Sequence, residues 1–241
     1  MVDFANKTAL ITGGRRGLGK AMALGLAENG ADIAVVAKSP DADDLKRSIE
    51  QLGRKFFYVP VDLSDRNARK QVIPAVMEEM GHIDILINNA GIQEKAPLES
   101  YTDRQWDFDL SLMLSAVFEL SREVSVSMIR KGAGKIINLA SISSFQGARG
   151  IIGYATVKHA IVGLTKCLAN ELAPHGINVN AIAPGLFKTD MANEVFENQE
   201  RAEIIRGRIP AGRFGEPADI VGPVLFLSSD MSRHVHGHVL L

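Results

Sequence analysis

An α/β fold built on a doubly wound parallel sheet is predicted by three features of the chain. Short, unbroken apolar runs recur between longer stretches of helical periodicity, and the first of these runs ends in a glycine-rich turn. The 241 residues, 46% of them hydrophobic and 22 of them glycine, suffice to bury one large core. Apolar runs without alternation suit strands covered on both faces, and their alternation with helices calls for parallel crossover connections. The expectation is one domain over residues 1–241, with about seven strands and helices on both faces of the sheet.

The runs fall at 8–11, 33–37, 56–61, 83–87, 135–139 and 178–183. After the first comes Thr12-Gly-Gly-Arg-Arg-Gly-Leu-Gly19, and 20–28 then reads as a helix ending at Asn29-Gly30. Glycines here let the backbone turn sharply and approach a pyrophosphate, which rests on the N–H groups at the helix start. Gly13, Arg15, Arg16, Gly17, Leu18 and Gly19 are therefore candidate dinucleotide-binding residues.

The second strand ends where the adenosine ribose of a dinucleotide would lie. An acidic residue there would bond the 2′-OH of NAD, but the chain has Ala37-Lys38-Ser39. Lys38 with Arg15 and Arg16 suits a 2′-phosphate, so NADP is favoured over NAD, the alternative being solvated charges beside NAD. Asp41, Asp43 and Asp44 read as the start of the next helix, where acids suit the macrodipole.

Asp62 and Leu63 close the third strand, and Asn88-Asn89-Ala90-Gly91 closes the fourth. Both lie at strand C-termini, where open α/β sheets bind ligands. Asp62 is expected to accept a hydrogen bond from an adenine amino group, or else to cap a helix. Asn88 and Asn89 are expected to brace the sheet edge and the cofactor floor, or else to form a simple turn.

Residues 102–130 read as one long helix with Trp106, Leu110, Met113, Val117 and Leu120 at helical spacing. Ser141-Ile-Ser-Ser-Phe145 follows the fifth strand, and a helix from about Gly153 to Leu172 carries Tyr154 and Lys158. Four residues apart, these two share one helix face. A cation near a phenol favours phenolate and lowers its pKa from ~10, which makes a general acid/base of the tyrosine. Without context, the same spacing fits a surface pair. Pro184-Gly-Leu-Phe-Lys-Thr189 follows the sixth strand, and the polar segment 190–208 reads as a lid over a substrate or as an ordinary surface helix.

A net charge of −1 and a pI of about 6.6 offer no basic field to nucleic acid or an anionic membrane, so small-molecule partners are expected. The single cysteine, Cys167, excludes an internal disulfide framework and is expected to be buried. His234, His236 and His238 alternate on a final strand, but no carboxylate or thiol completes a ligand set, and no metal is expected. No signal peptide opens the chain and no apolar run reaches the ~18 residues of a membrane span, so a cytoplasmic protein is expected. The chain stops at Leu241 inside what reads as a strand, and further residues are expected beyond it.

Taken together, the TGGRRGLG turn, Asp62, Asn88–Gly91, Ser141 thirteen residues before Tyr154, Tyr154-x-x-x-Lys158, and Pro184-Gly185 with Thr189 resemble the short-chain dehydrogenase/reductase family across nearly the whole chain. The resemblance implies a Rossmann-type fold and NAD(P)-dependent interconversion of a secondary alcohol and a ketone. It implies Tyr154 as the acid/base, Lys158 as the group that lowers its pKa and holds the ribose hydroxyls, and Ser141 as the partner of the substrate oxygen. It also implies that Thr189 and the Phe187 backbone, following Pro184 and Gly185, hold the nicotinamide carboxamide. The runs GKIINLASISSFQGARG, NELAPHGINVNAIAPG and RIPAGRFGEPADIVGPVLFLSS resemble the sugar-acid dehydrogenases of that family, the 2-deoxy-D-gluconate 3-dehydrogenase and gluconate 5-dehydrogenase-like members. A substrate such as 2-deoxy-D-gluconate or gluconate is implied, with reduction of a 3-oxoacyl thioester as the alternative.

Met113 stands where the family usually has an asparagine completing a tetrad with Ser141, Tyr154 and Lys158. That departure supports a reading of another class, a weakly active or inactive nucleotide-binding regulatory protein, unless Ser111 or Ser115 compensates. A homodimer or homotetramer formed through the helices at 102–130 and 153–173 is implied by the resemblance.

Overall fold

A computed structural model describes residues 2–241 and places seven parallel strands in one sheet, in the order β3-β2-β1-β4-β5-β6-β7. The strands are β1 (Thr8–Thr12), β2 (Asp32–Ala37), β3 (Phe56–Pro60), β4 (Ile85–Asn88), β5 (Gly134–Leu139), β6 (Ile177–Ile182) and β7 (Val239–Leu240). Between them run α1 (Gly17–Glu28), α2 (Asp43–Gln51), α3 (Arg66–Arg69), α4 (Val72–Met80), α5 (Asp103–Leu110), α6 (Ala116–Lys131), α7 (Ile152–Leu172), α8 (Asn193–Phe196), α9 (Gln199–Arg206) and α10 (Val221–Ser228). This is the Rossmann-type doubly wound arrangement, and its order reverses between β1 and β4.

The absence of alternation in the strands has a direct cause. Successive side chains of β1 point to opposite faces, and both faces are covered. Ala9 and Ile11 join Ile33, Val35, Ile85 and Ile87 under α1, α2 and α10, whereas Leu10 joins Ala34, Val36, Leu86 and Ile136 under α4, α6 and α7. Each fully buried Leu or Ile contributes about 1.5–3 kcal/mol by leaving water. A third cluster, Met113, Val117, Ala140, Val157, Ile161, Ala181 and Ala183, lies beneath Tyr154.

Three sequence expectations are corrected. Residues 102–130 do not form one regular helix, because a π-helical turn over Ser111–Ser115 separates α5 from α6. Cys167 is exposed, since it lies on the outward face of α7 beside the equally exposed Lys166. The three histidines precede β7 rather than occupying a strand. His236 turns its ring nitrogen to the Asn178 amide at 3.3 Å, and among the described residues no acid, thiol and imidazole cluster suits a metal.

The segment 190–208 folds as a short 3₁₀ turn followed by α8 and α9. Ala192 and Val195 are its buried residues, and Phe196 meets Phe214 edge to face at 5.0 Å. No helix of the described residues is long and apolar enough to cross a membrane.

Candidate active site

The reversal between β1 and β4 opens a cleft at the C-terminal ends of the strands, with a volume of about 590 Å³. Its walls bring together the glycine turn from Gly13 to Gly19, Lys38, Asp62, Leu63, Asn89 to Gly91, and Thr189. Gly13 takes φ +65°, and a Cβ there would lie 2.9 Å from the Cα of Ala90. At Gly19 a Cβ would meet the Gly13 carbonyl oxygen at 2.3 Å. The turn is thus closed by glycine where α1 begins, leaving the first N–H groups of that helix directed at the cleft. A pyrophosphate fits such a cradle.

The floor of the cradle is braced from β4. The Asn89 amide donates to the carbonyls of Thr12 at 3.0 Å and Gly13 at 3.1 Å, and the Thr12 hydroxyl accepts from the Asn89 and Ala90 N–H groups at 3.0 Å each. Asn88 faces inward instead, donating to Asn138 at 2.9 Å and Ser121 at 3.1 Å, and so ties β4 to β5 and α6. Both asparagines brace rather than merely turn. Thr12 escaped the sequence reading, although it opens the TGGRRGLG motif.

Beside the end of β2, the three cations of the cleft have separate partners. Lys38 pairs with Asp62 at 2.8 Å, Arg16 pairs with Asp190 at 3.1 Å, and Arg15 donates from Nε to the Asp41 carbonyl at 2.9 Å. Burial tends to raise the Asp62 carboxyl, but hydrogen bonds from Lys38 and Ser64 outweigh it and hold the group below the usual carboxylate range. Asp62 also accepts from the Ser64 N–H at 2.9 Å and its hydroxyl at 2.6 Å, closing the turn after β3.

On the other side of the sheet's midline lie Ser141, Tyr154 and Lys158. Ser141 follows β5 and caps a 3₁₀ turn, its hydroxyl accepting from the Ser143 N–H at 3.1 Å. Ser144, which no spacing in the sequence singles out, accepts from the Ser141 N–H at 3.2 Å and donates to the Lys158 carbonyl at 2.6 Å. It therefore fixes the serine turn against α7. Tyr154 and Lys158 share a face of α7, as their spacing requires, and Nζ lies 5.5 Å from the centre of the phenol ring. Lys158 is 6% exposed and its ammonium donates to the Leu139 carbonyl at 2.6 Å. Burial pushes Lys158 down to about 8. Burial pushes the Tyr154 phenol up, and the hydroxyl of Ser141 opposes that rise by hydrogen bonding.

Met113 points into the apolar cluster below Tyr154 and is 1% exposed; a Cβ on Gly91 would come within 3.2 Å of its sulfur. The π turn is therefore kept without an asparagine amide. Ser111 is committed elsewhere, donating to the Ser64 carbonyl at 2.8 Å and accepting from Arg69 at 3.1 Å, so it does not stand in for that amide.

Pro184 accepts from the Ile142 N–H at 3.1 Å, which docks the 184–189 segment on the serine turn beside Gly185. Phe187 bridges Gly215 in parallel register; the bonds run from Lys188 N–H and to the Leu186 carbonyl, so the peptide N–H of Phe187 points away from Gly215. A larger cavity, about 960 Å³, lies along Ile152, Ala155, Thr156 and His159. It is on the face of α7 opposite Tyr154 and contains none of the three catalytic candidates.

The profile of the short chain dehydrogenase family matches residues 7–200. The chain belongs to this family. As a short-chain dehydrogenase it is an NAD(P)-dependent oxidoreductase acting on a CH–OH group. It is 45% identical over 237 residues, 98% of its own length and 93% of the relative's, to a 2-dehydro-3-deoxy-D-gluconate 5-dehydrogenase from Pseudoalteromonas atlantica. It is 38% identical over 242 residues to a gluconate 5-dehydrogenase from Gluconobacter oxydans, covering 100% of this chain and 94% of that one. Among solved structures, a gluconate 5-dehydrogenase from Burkholderia cenocepacia in complex with NADP and tartrate superposes on this dehydrogenase with a TM-score of 0.94 at 34% identity, covering 99% of this chain and 94% of that one.

Proposed function

We propose that the protein interconverts a secondary hydroxyl and a ketone on a gluconate-type sugar acid, with NADP preferred over NAD. The observation that carries the reaction is the convergence of Ser141, Tyr154 and Lys158 beside a cleft whose glycine turn suits a pyrophosphate. The substrate class is supported by full-length relatives named for acting on gluconate and 2-dehydro-3-deoxy-D-gluconate. A sugar acid also needs a cation within reach, and Lys95, which lines the neighbouring larger cavity and pairs with Glu194 of the cleft wall, is the candidate.

The cofactor, when bound, accepts or supplies the hydride. The protein's part is proton transfer and placement. Ser141 donates to the substrate oxygen and Tyr154 takes or returns its proton, while the positive charge of Lys158 favours the phenolate form. The 184–189 segment, with Thr189 and the free Phe187 N–H, orients the carboxamide of the cofactor. The segment 190–208 acts as a lid, tied to the glycine turn through Arg16 and Asp190 and to the 92–97 loop through Lys95 and Glu194. A homodimer or homotetramer is part of this reading, because Trp106, Phe118, Val126, Ile129 and Ile152 are exposed apolar side chains on α5, α6 and α7. Light scattering tests that assembly.

The deciding experiment is an initial-rate panel with NAD(H) and NADP(H) in parallel. Gluconate, 2-deoxy-D-gluconate and 2-dehydro-3-deoxy-D-gluconate are compared with an acetoacetyl thioester. Turnover of a sugar acid, faster with the phosphorylated cofactor, is expected. Turnover of the thioester alone assigns a 3-oxoacyl-thioester reductase, and cofactor binding without turnover on a broad carbonyl panel assigns a nucleotide-binding regulator.

A further inference from the structure

We propose that the hydroxyl of Tyr58 is a positioning group for cofactor selectivity, because it tethers the turn on which the guanidinium of Arg15 is oriented toward a 2′-phosphate. The proposal rests on the NADP preference argued above and assigns a role to a residue on the edge strand of the sheet, outside the cleft lining.

Of the three cations at this end of the cleft, two are paired with carboxylates, Lys38 with Asp62 and Arg16 with Asp190. Among the described residues, Arg15 has no acidic side chain within salt-bridge distance. Its one hydrogen bond runs from Nε to the Asp41 carbonyl, and both Nη groups remain free. A guanidinium is a planar fork, so fixing Nε fixes the direction in which the two Nη groups present their donors. The direction of the fork thus depends on where residue 41 sits.

Residues 38–41 lie between the end of β2 and the start of α2, outside both elements. Pro40 removes one backbone N–H from this short connection. What holds it is a side chain from the neighbouring strand. Tyr58, paired with Val35 in the β2–β3 register, donates from its hydroxyl to the Ser39 carbonyl at 2.7 Å, with a longer contact of 3.4 Å to the Ala37 carbonyl. The chain of dependence is Tyr58 hydroxyl, Ser39 carbonyl, Asp41 carbonyl, Arg15 fork. Burial keeps the phenol above its ordinary value, with Arg15 pulling it down and Asp41 pushing it up, so at neutral pH it remains a donor.

The test is Tyr58→Phe, which keeps the ring and removes only the hydroxyl. Dissociation constants for NADPH and NADH are read by fluorescence titration on the purified full chain. Loss of one neutral hydrogen bond in a positioning role is expected to weaken NADPH about 2- to 10-fold while NADH changes less than about two-fold. Equal weakening of both cofactors shows a merely structural hydroxyl and overturns the proposal, as does unaltered NADPH binding.

Arg15→Ala is measured beside it. If Arg15→Ala abolishes the preference for NADPH while Tyr58→Phe does nothing, the 2′-phosphate reading stands and only the role of Tyr58 falls. If Arg15→Ala leaves NADPH binding at the wild-type level, the reading and the proposal fall together.

Discussion

The guanidinium of Arg69 joins the turn after β3 to the π segment of the long helix: its Nη1 donates to the carbonyls of Leu63 and Ser111, at 2.8 Å each. The Ser111 carbonyl also accepts from the Ala116 N–H, the i→i+5 bond of the π turn, so both of its lone pairs are used. Nε of the same arginine donates to Glu119 at 2.9 Å, and the residue is 3% exposed. The irregularity beside Met113 is therefore held by a buried arginine rather than by an amide within the helix. It couples the turn that carries Asp62 to the segment packed under Gly91 and Tyr154.

Arg69→Ala is expected to be severe. Removing the arginine leaves Glu119 with Arg66 alone, the Ser111 carbonyl with only the Ala116 N–H and the Leu63 carbonyl without its arginine donor, a loss of about 1–3 kcal/mol. Urea unfolding gives the value. Arg69→Lys, which keeps the charge but loses the fork, is expected to recover only part of it.

A second buried pair supports the first turn of α7. The Tyr101 hydroxyl donates to Asp109 at 2.5 Å, and Asp109 is fully buried with its other oxygen unpartnered. A Cβ on Gly153 would stand 2.2 Å from the Tyr101 oxygen and 2.3 Å from the Asp109 oxygen, so only glycine fits beside Tyr154. Gly153→Ala is expected to lower stability by about 1–3 kcal/mol through overpacking. Tyr101→Phe, which strands the buried carboxyl, is expected to cost about 1–3 kcal/mol. Thermal melts of both variants check these values.

The pH dependence of the rate has opposite signs in the two directions. Alcohol oxidation needs Tyr154 as phenolate, and burial raises its pKa, so kcat/KM for oxidation rises with pH above neutrality. Ketone reduction needs the protonated phenol and falls over the same range. Burial also pushes Lys158 down to about 8, so its cation is present at neutral pH and fades over the same alkaline range. Lys158→Met removes the cation that, while protonated, favours phenolate, and is expected to move the rising limb to higher pH. Rates measured in both directions at constant ionic strength test the signs; parallel profiles contradict the account.

Much of the fold was legible because its strands are covered on both faces, which makes them unbroken apolar runs ending within a residue or two of the observed limits. The start of α1 at Gly17 rather than Lys20 was hidden, since glycines carry no periodic apolar signal. The π turn was hidden because its cause, Arg69, lies some forty residues upstream in the sequence. Ser141, Tyr154 and Lys158 could be found because one helix and one strand end fix their spacing. Ser144 and Thr12 could not, as a hydroxyl that bonds main chain leaves no pattern. Cys167 misled because the stripe that buries Thr165 and Ala169 passes beside it without including it.

The central claim is that Tyr154 moves the proton in a dehydrogenase site, and Tyr154→Phe tests it most directly. With NADP and the sugar acid that the wild type turns over, initial rates are compared beside a cofactor titration of the same protein. The account predicts a fall in turnover of about 10²–10⁴-fold with cofactor affinity within about two-fold of wild type. Wild-type turnover in the phenylalanine variant would contradict it.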